Sequence, residues 1–135
     1  MLLQIYHPSQ ICKGSLNITG SKSETNRLLL LKALYPGIEI KNISNSDDSV
    51  RMANALTSDS DFIDIHHAGT AMRFLTAFFS IQEGREVVLT GSSRMQQRPI
   101  RVLVESLRKI GAEISYEKLE GFPPLRIKGN ALKGG

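Results

Sequence analysis

Apolar residues recur with a helical period in four stretches of the chain and alternate like half-buried strands between them. The first helix is predicted over residues 23–35, where Leu28 to Leu34 form its apolar body and Pro36-Gly37 end it. A second carries Val50, Met52, Ala53 and Leu56, entered from the loop Ser44-Asn45-Ser46-Asp47-Asp48. A third runs from Gly69 through Phe74 to Ile81, and a fourth carries Ile100, Leu103, Val104, Leu107 and Ile110. Strands are predicted at 3–6 and 15–19, separated by a Pro8-Ser9 turn, and at 38–43, 61–66, 86–90, 112–116 and 125–128. Phe62, Ile63 and Ile65 are the core candidates of the strand at 61–66.

The second half repeats the first. Gly69 opens a helix as Gly20 does, and 86–90 takes the place of 39–43. Gly91-Ser92-Ser93 takes the place of Ser44-Asn45-Ser46, and Arg27 and Arg73 fall at corresponding points. The offset drifts between roughly 46 and 51 residues, the scale of a repeated supersecondary unit. The expected architecture is α/β, with about two βαβαββ units whose helices pack against sheets.

Composition narrows the function. With 135 residues and 41% apolar content the chain supports one domain with a real core. Seventeen Lys and Arg against 13 Asp and Glu give a net charge of +4, which suits an anionic ligand. No basic run and no basic–aromatic interleaving points to nucleic acid, since aromatics are 6% of the chain and Trp is absent. Cys12 is the only cysteine, so no internal disulfide is possible. The first residues lack the features of a signal peptide, and no apolar run has the length of a membrane span. A soluble, cytoplasmic protein is expected.

The cations sit where helix electrostatics alone would not put them. Lys22 and Arg27 fall in the segment Gly20-Ser21-Lys22-Ser23-Glu24-Thr25-Asn26-Arg27, which enters the first helix. Arg73 follows Gly69-Thr70-Ala71-Met72, and Arg94 and Arg98 precede Pro99, a residue suited to the first helical position. A cation in a first helical turn costs roughly 0.3–1 kcal/mol. The same turn suits a bound anion, held jointly by free N–H groups and side-chain cations. Three such segments point to a polyanionic small molecule. A P-loop is excluded by spacing, because Gly14 is too far from Gly20 and Ser21 intervenes before Lys22. Arg73 has an alternative partner in Asp64, and Arg94 an alternative reading as a surface residue. His66-His67 lacks the companions of a metal set, and adjacent residues at a strand end are expected to face opposite ways. Asp47-Asp48 reads as helix capping rather than as an acid–base pair.

Three blocks then carry a family likeness. Gly20-Ser21-Lys22-Ser23 with Asn26-Arg27, Ala68-Gly69-Thr70-Ala71-Met72-Arg73, and Leu89-Thr90-Gly91 with Arg94-Met95 and Arg98-Pro99-Ile100 resemble the 5-enolpyruvylshikimate-3-phosphate synthases. The UDP-N-acetylglucosamine enolpyruvyl transferases share a Gly-Ser-Lys block but typically lack the Ser-x-x-Asn-Arg continuation, so they rank second. A non-catalytic anion-binding module is the remaining alternative.

The resemblance implies transfer of the enolpyruvyl group of phosphoenolpyruvate to shikimate 3-phosphate, with release of phosphate and with no metal or organic cofactor. It implies that Lys22 contacts phosphoenolpyruvate, that Ser23 and Arg27 contact shikimate 3-phosphate, and that Gly69 lines the phosphoenolpyruvate pocket whose phosphate Arg98 holds; Thr70 is a substrate-binding candidate through its hydroxyl beside free helix N–H groups. His67, Arg73 and Arg94 are secondary candidates. His67 stands where the family often has Asn, and Phe74 where many members have Pro. The resemblance also implies about six such units in two globular domains, with residues 1–19 belonging to the other domain and 20–135 to a partial one. The chain then ends before the family's Ser-Ser-Gln element and before its proton-transfer acids and lysine. On that expectation it holds no catalytic residue, is inactive alone, and self-associates through uncovered apolar faces.

Overall fold

A computed structural model describes Gln4, Tyr6, Pro8, Ile11 and residues 13–133. Among these the elements in chain order are α1 (Lys22–Leu34), α2 (Asp47–Thr57), β1 (Phe62–Asp64), α3 (Gly69–Ser80), β2 (Glu86–Thr90), a 3₁₀ turn (Met95–Gln97), α4 (Arg101–Lys109), β3 (Glu113–Tyr116) and β4 (Leu125–Lys128). The architecture is α/β. One complete βαβαββ unit, β1 to β4, is preceded by the two helices of a partial one.

The four strands form one sheet in the order β1-β2-β4-β3. β1 runs parallel to β2, whereas β4 lies antiparallel to both β2 and β3. Register follows the alternation in the sequence, because a slip of one residue would turn every apolar side chain outward. Val87 opposes Ile127, Leu89 opposes Leu125, and Ile114 opposes Ile127, all buried on the inner face. On the outer face Arg126 bridges Glu86 and Glu117, each at 2.7 Å, an exposed network of small energetic weight.

Helix α3 packs on that inner face and buries Ala71, Met72, Leu75, Phe78 and Phe79. Its buried hydroxyls are satisfied locally: Thr76 donates to the Met72 carbonyl and Ser80 to the Thr76 carbonyl, both at 2.7 Å. Helix α2 adds Met52 and Ala55 to the core, while Val50 is exposed, so its inward stripe lies off the expected one. The α1–α2 contact is polar where it is buried. Ser49 Oγ donates to Asn26 Oδ1 at 2.9 Å, and the Ser44 N–H donates to Thr25 Oγ1 at 3.0 Å.

Two expected strands are not formed. Residues 15–19 have no strand partner among the described residues, and Leu16 and Ile18 are exposed. Residues 38–43 alternate in sequence, yet Asn42 turns to φ 53° and no described strand lies alongside. Alternation fits a residue to a pleated surface, but a strand also requires a neighbour for its backbone groups. Of the expected strand at 3–6, Leu3 and Ile5 lie outside the described residues.

Tyr116 carries a pH prediction. Burial pushes its hydroxyl above the ordinary tyrosine value, against the pull of Arg108 and Arg101. The oxygen is buried without a hydrogen-bond partner. The fold therefore favours the neutral phenol, and this contribution is intact below the unfolded pKa of 10.0 and lost as pH rises through the higher folded value. Tyr116→Phe removes both the orphan hydroxyl and the titration. At neutral pH it should leave stability unchanged or raise it by up to about 1 kcal/mol. In thermal melts between neutral and strongly alkaline pH, the variant should lose less stability than the parent.

Candidate anion site

The candidate residues gather at the N-terminal ends of two helices, α1 and α3. Ser21 is the N-cap of α1 and accepts from the Glu24 N–H, which places Lys22 and Ser23 in the first turn. Arg27 lies one turn on and folds back, its Nη1 donating to the Ser23 carbonyl at 2.9 Å. Lys22 turns the other way, and its Nζ lies 3.6 Å from Asp48 Oδ2 at the start of α2.

The aspartates of α2 do more than cap. The N-cap is Ser46, whose hydroxyl accepts from the Ser49 N–H, so Asp47 and Asp48 fall in the first turn, where the helix dipole favours them. Asp48 holds Lys22. Asp47 Oδ2 lies 3.4 Å from His67 Nε2, and its other oxygen lies 3.5 Å from Arg51. Two consecutive carboxylates thus tie the α1 end to the α3 end, a function that the capping reading missed. The signal was present in Ser46-Asp47-Asp48, but not the identity of the partners.

The histidines also differ from expectation. They do not face apart, because His66 has φ 53° and ends the strand-like alternation. The two Nδ1 atoms come within 2.6 Å of one another. The His66 N–H donates to Asp64 Oδ1 at 2.7 Å, and this turn delivers the chain to Ala68, the N-cap of α3. Among the described residues no group of three or more His, Cys, Asp or Glu could hold a metal.

Helix α3 has no side-chain cap. Its first N–H groups are left open to a ligand, which suits an anion. Arg98 supplies the cation, though not at its own helix. Pro99 is not the first helical position, because α4 begins at Arg101 with Ile100 as N-cap. Arg98 instead ends the 3₁₀ turn, its N–H bonded to the Met95 carbonyl at 3.0 Å. From there its guanidinium lies over Gly69: a Cβ built on Gly69 would overlap Nη1 and stand 3.1 Å from Cζ. Glycine is required here for that close approach. An open cleft of about 440 Å³ lies alongside, lined by His67, Arg94, Met95 and Arg98. No ion pair joins Arg94 or Arg98 to a described carboxylate.

Thr70 is the second residue of α3. Arg73 lies one turn further on and donates to the Gly69 carbonyl at 3.3 Å rather than pairing with Asp64. Both resemblance blocks of the second half therefore meet at one helix end. Gly69, Arg94, Arg98 and His67 form one cluster, while Ser23 with Arg27 forms another. Lys22 is linked to the first through Asp48 and Asp47.

Comparison with known proteins gives this geometry a relative. The family model of EPSP synthase (3-phosphoshikimate 1-carboxyvinyltransferase) matches residues 57–135, more than half of the chain. The chain belongs to the EPSP synthase family. A 3-phosphoshikimate 1-carboxyvinyltransferase of Bacteroides fragilis is 51% identical over 128 residues, covering 94% of this chain and 31% of the relative. One of Pseudoalteromonas atlantica is 40% identical, covering 97% of this chain and 37% of its own length. The chain thus spans about a third of these relatives. The fold is also that of an EPSP synthase structure from Acinetobacter baumannii, with a TM-score of 0.74 over 90% of this chain and 33% of that one, at 22% identity. Among the described residues no helix is long and apolar enough to cross a membrane.

Proposed function

We propose that this chain supplies one wall of the substrate site of an enolpyruvyl transferase of the shikimate pathway. Phosphoenolpyruvate and shikimate 3-phosphate are the anions it receives. The observation that carries this reading is the unpaired Arg98 guanidinium over Gly69 at the uncapped end of α3. A phosphate or carboxylate there meets backbone N–H groups and a planar cationic fork together. His67 and Arg94 border the same cleft. Lys22 belongs with phosphoenolpyruvate, and Ser23 and Arg27 with shikimate 3-phosphate, in keeping with the family blocks. Thr70 and Arg73 flank the Gly69 turn.

The chain alone carries out no turnover. Among the described residues, Asp47 and Asp48, the carboxylates in ion-pair contact with this cluster, are engaged with His67, Arg51 and Lys22. Relatives are about three times as long, which supports a second wall built from other polypeptide. Residues 20–135 then form a partial domain, and residues 1–19, with Leu16 and Ile18 exposed, pair with the other domain. The exposed apolar side chains Leu16, Ile18, Leu28 and Leu31 support self-association.

A phosphate-release assay with both substrates should show no rate above background. Titration calorimetry should show weak binding of shikimate 3-phosphate that falls further as salt rises, because exposed ion pairs are screened. Turnover, or tight and salt-insensitive binding, would overturn the reading. Preference for a UDP-sugar would transfer the chain's substrate to the sister family.

A further inference from the structure

We infer that His66 and His67 set the charge of the α3 anion cleft. One proton taken up by the pair places a positive charge on His67, beside Arg94 and Arg98, and selects dianionic ligands over monoanions. The inference rests on the anion site proposed above and adds to it the residues that decide which anions it prefers. His67 lines the cleft with Arg94, Met95 and Arg98. Among these side chains only a histidine changes charge between about pH 5 and 8, since arginine stays protonated throughout.

The contacts fix where the protons sit. His67 Nε2 lies 3.4 Å from Asp47 Oδ2. A carboxylate only accepts, so this nitrogen carries a proton. In the neutral ring Nδ1 is then the acceptor, and it takes its hydrogen bond from His66 Nδ1, 2.6 Å away. His66 therefore donates through Nδ1 and keeps an unprotonated Nε2 on an exposed ring. A proton arriving at His66 Nε2, with transfer of the Nδ1 proton across the contact to His67 Nδ1, makes His67 an imidazolium and leaves His66 neutral. The contact survives with donor and acceptor exchanged. A second proton breaks it, because two N–H groups would then face each other across 2.6 Å. The surrounding charges direct the first proton to His67. Asp47 on α2 faces its Nε2, whereas Asp64 on β1 is taken by the His66 backbone N–H at 2.7 Å. Arg51 offsets part of the Asp47 charge from 3.5 Å, and Arg94 and Arg98 oppose the proton from the cleft wall. An anion entering the cleft relieves that opposition, so proton and anion bind cooperatively.

NMR titrations of the full chain with sulfate and with formate, followed at the Gly69 and Thr70 amides at constant ionic strength, test this between about pH 5.5 and 8. Both probes keep a fixed charge over that range, so any pH dependence belongs to the protein. Sulfate affinity should rise about fivefold toward the acid end, the upper range for an exposed charge. Coulomb energy scales with ligand charge, so formate should gain only about twofold. His67→Asn should hold the parent's alkaline affinity at every pH, and His67→Lys its acid affinity. The side chain is 56% exposed, so both variants should fold; where one does not, the other and the comparison of the two anions on the parent decide. Ring nitrogen shifts at the alkaline end should report His66 protonated on Nδ1 and His67 on Nε2. A flat parent, an equal rise for both anions, a rise that persists in His67→Asn, or the reverse tautomers would overturn the inference and leave the anion site standing. Absence of saturable shifts with either anion at any pH would overturn the anion site and the inference together.

Discussion

Gly129→Ala is expected to remove a large part of the stability of the domain. Gly129 follows β4 and lies against the turn that ends α3, where an added Cβ would fall on the Gln82 carbonyl and 2.9 Å from the Phe79 carbonyl oxygen. Both obstacles are backbone, so no rotamer change relieves them. The glycine cannot retreat either. Its N–H donates to the Arg85 carbonyl at 2.8 Å, and its own carbonyl accepts from the Gly84 N–H at 3.3 Å. Overpacking of this kind costs roughly 3–5 kcal/mol where nothing can yield. A domain holds about 5–15 kcal/mol in total. Thermal unfolding followed by circular dichroism should show Tm lowered by more than about 10 °C. Gly37→Ala is the control, since its Cβ meets nothing within 4 Å. If the two variants melt alike, the packing of α3 against the end of β4 is wrong.

Gly69→Ala is expected to act on binding and not on the fold. Its added Cβ also overlaps a neighbour, but that neighbour is the far end of the Arg98 side chain, which can swing away. The fold keeps its contacts while the guanidinium leaves the α3 end. Losing one charge-assisted contact at a partly solvated site weakens anion binding about tenfold. Arg98→Ala should lose at least as much. The paired signature, unchanged Tm with lost affinity at position 69 and the reverse emphasis at position 129, separates an anion site from a merely tight turn.

How far the sequence anticipated this arrangement depends on whether the cause was local. Strands β2 and β4 were legible to the residue, because each alternates and each has a partner of matching pattern. The end of α1 was legible from Pro36-Gly37. The strand at 38–43 was not, because nothing in its alternation reveals that the described residues provide no neighbour. His66 and His67 were misjudged by a single positive φ, which period-two reasoning cannot contain. Arg98 was placed at the helix that follows it in sequence, whereas the structure puts it at α3, about thirty residues earlier. The family blocks contain both Gly69 and Arg98, but only tertiary packing shows that the two are in contact. Lys22 was expected to face the ligand, and its tie to Asp48 depends on the polar α1–α2 contact that no local pattern encodes.

The most direct measurement is a heteronuclear NMR titration of the chain and of Gly69→Ala with phosphoenolpyruvate at low salt. Saturable shifts should appear at the Gly69 and Thr70 amides, at the Arg98 side chain and at His67, and should weaken together in the variant. Cations on the outer sheet face, Arg126 above all, should not respond. Shifts spread evenly over the exposed cations, or a Gly69→Ala titration indistinguishable from the parent, would contradict an anion site at the N-terminus of α3.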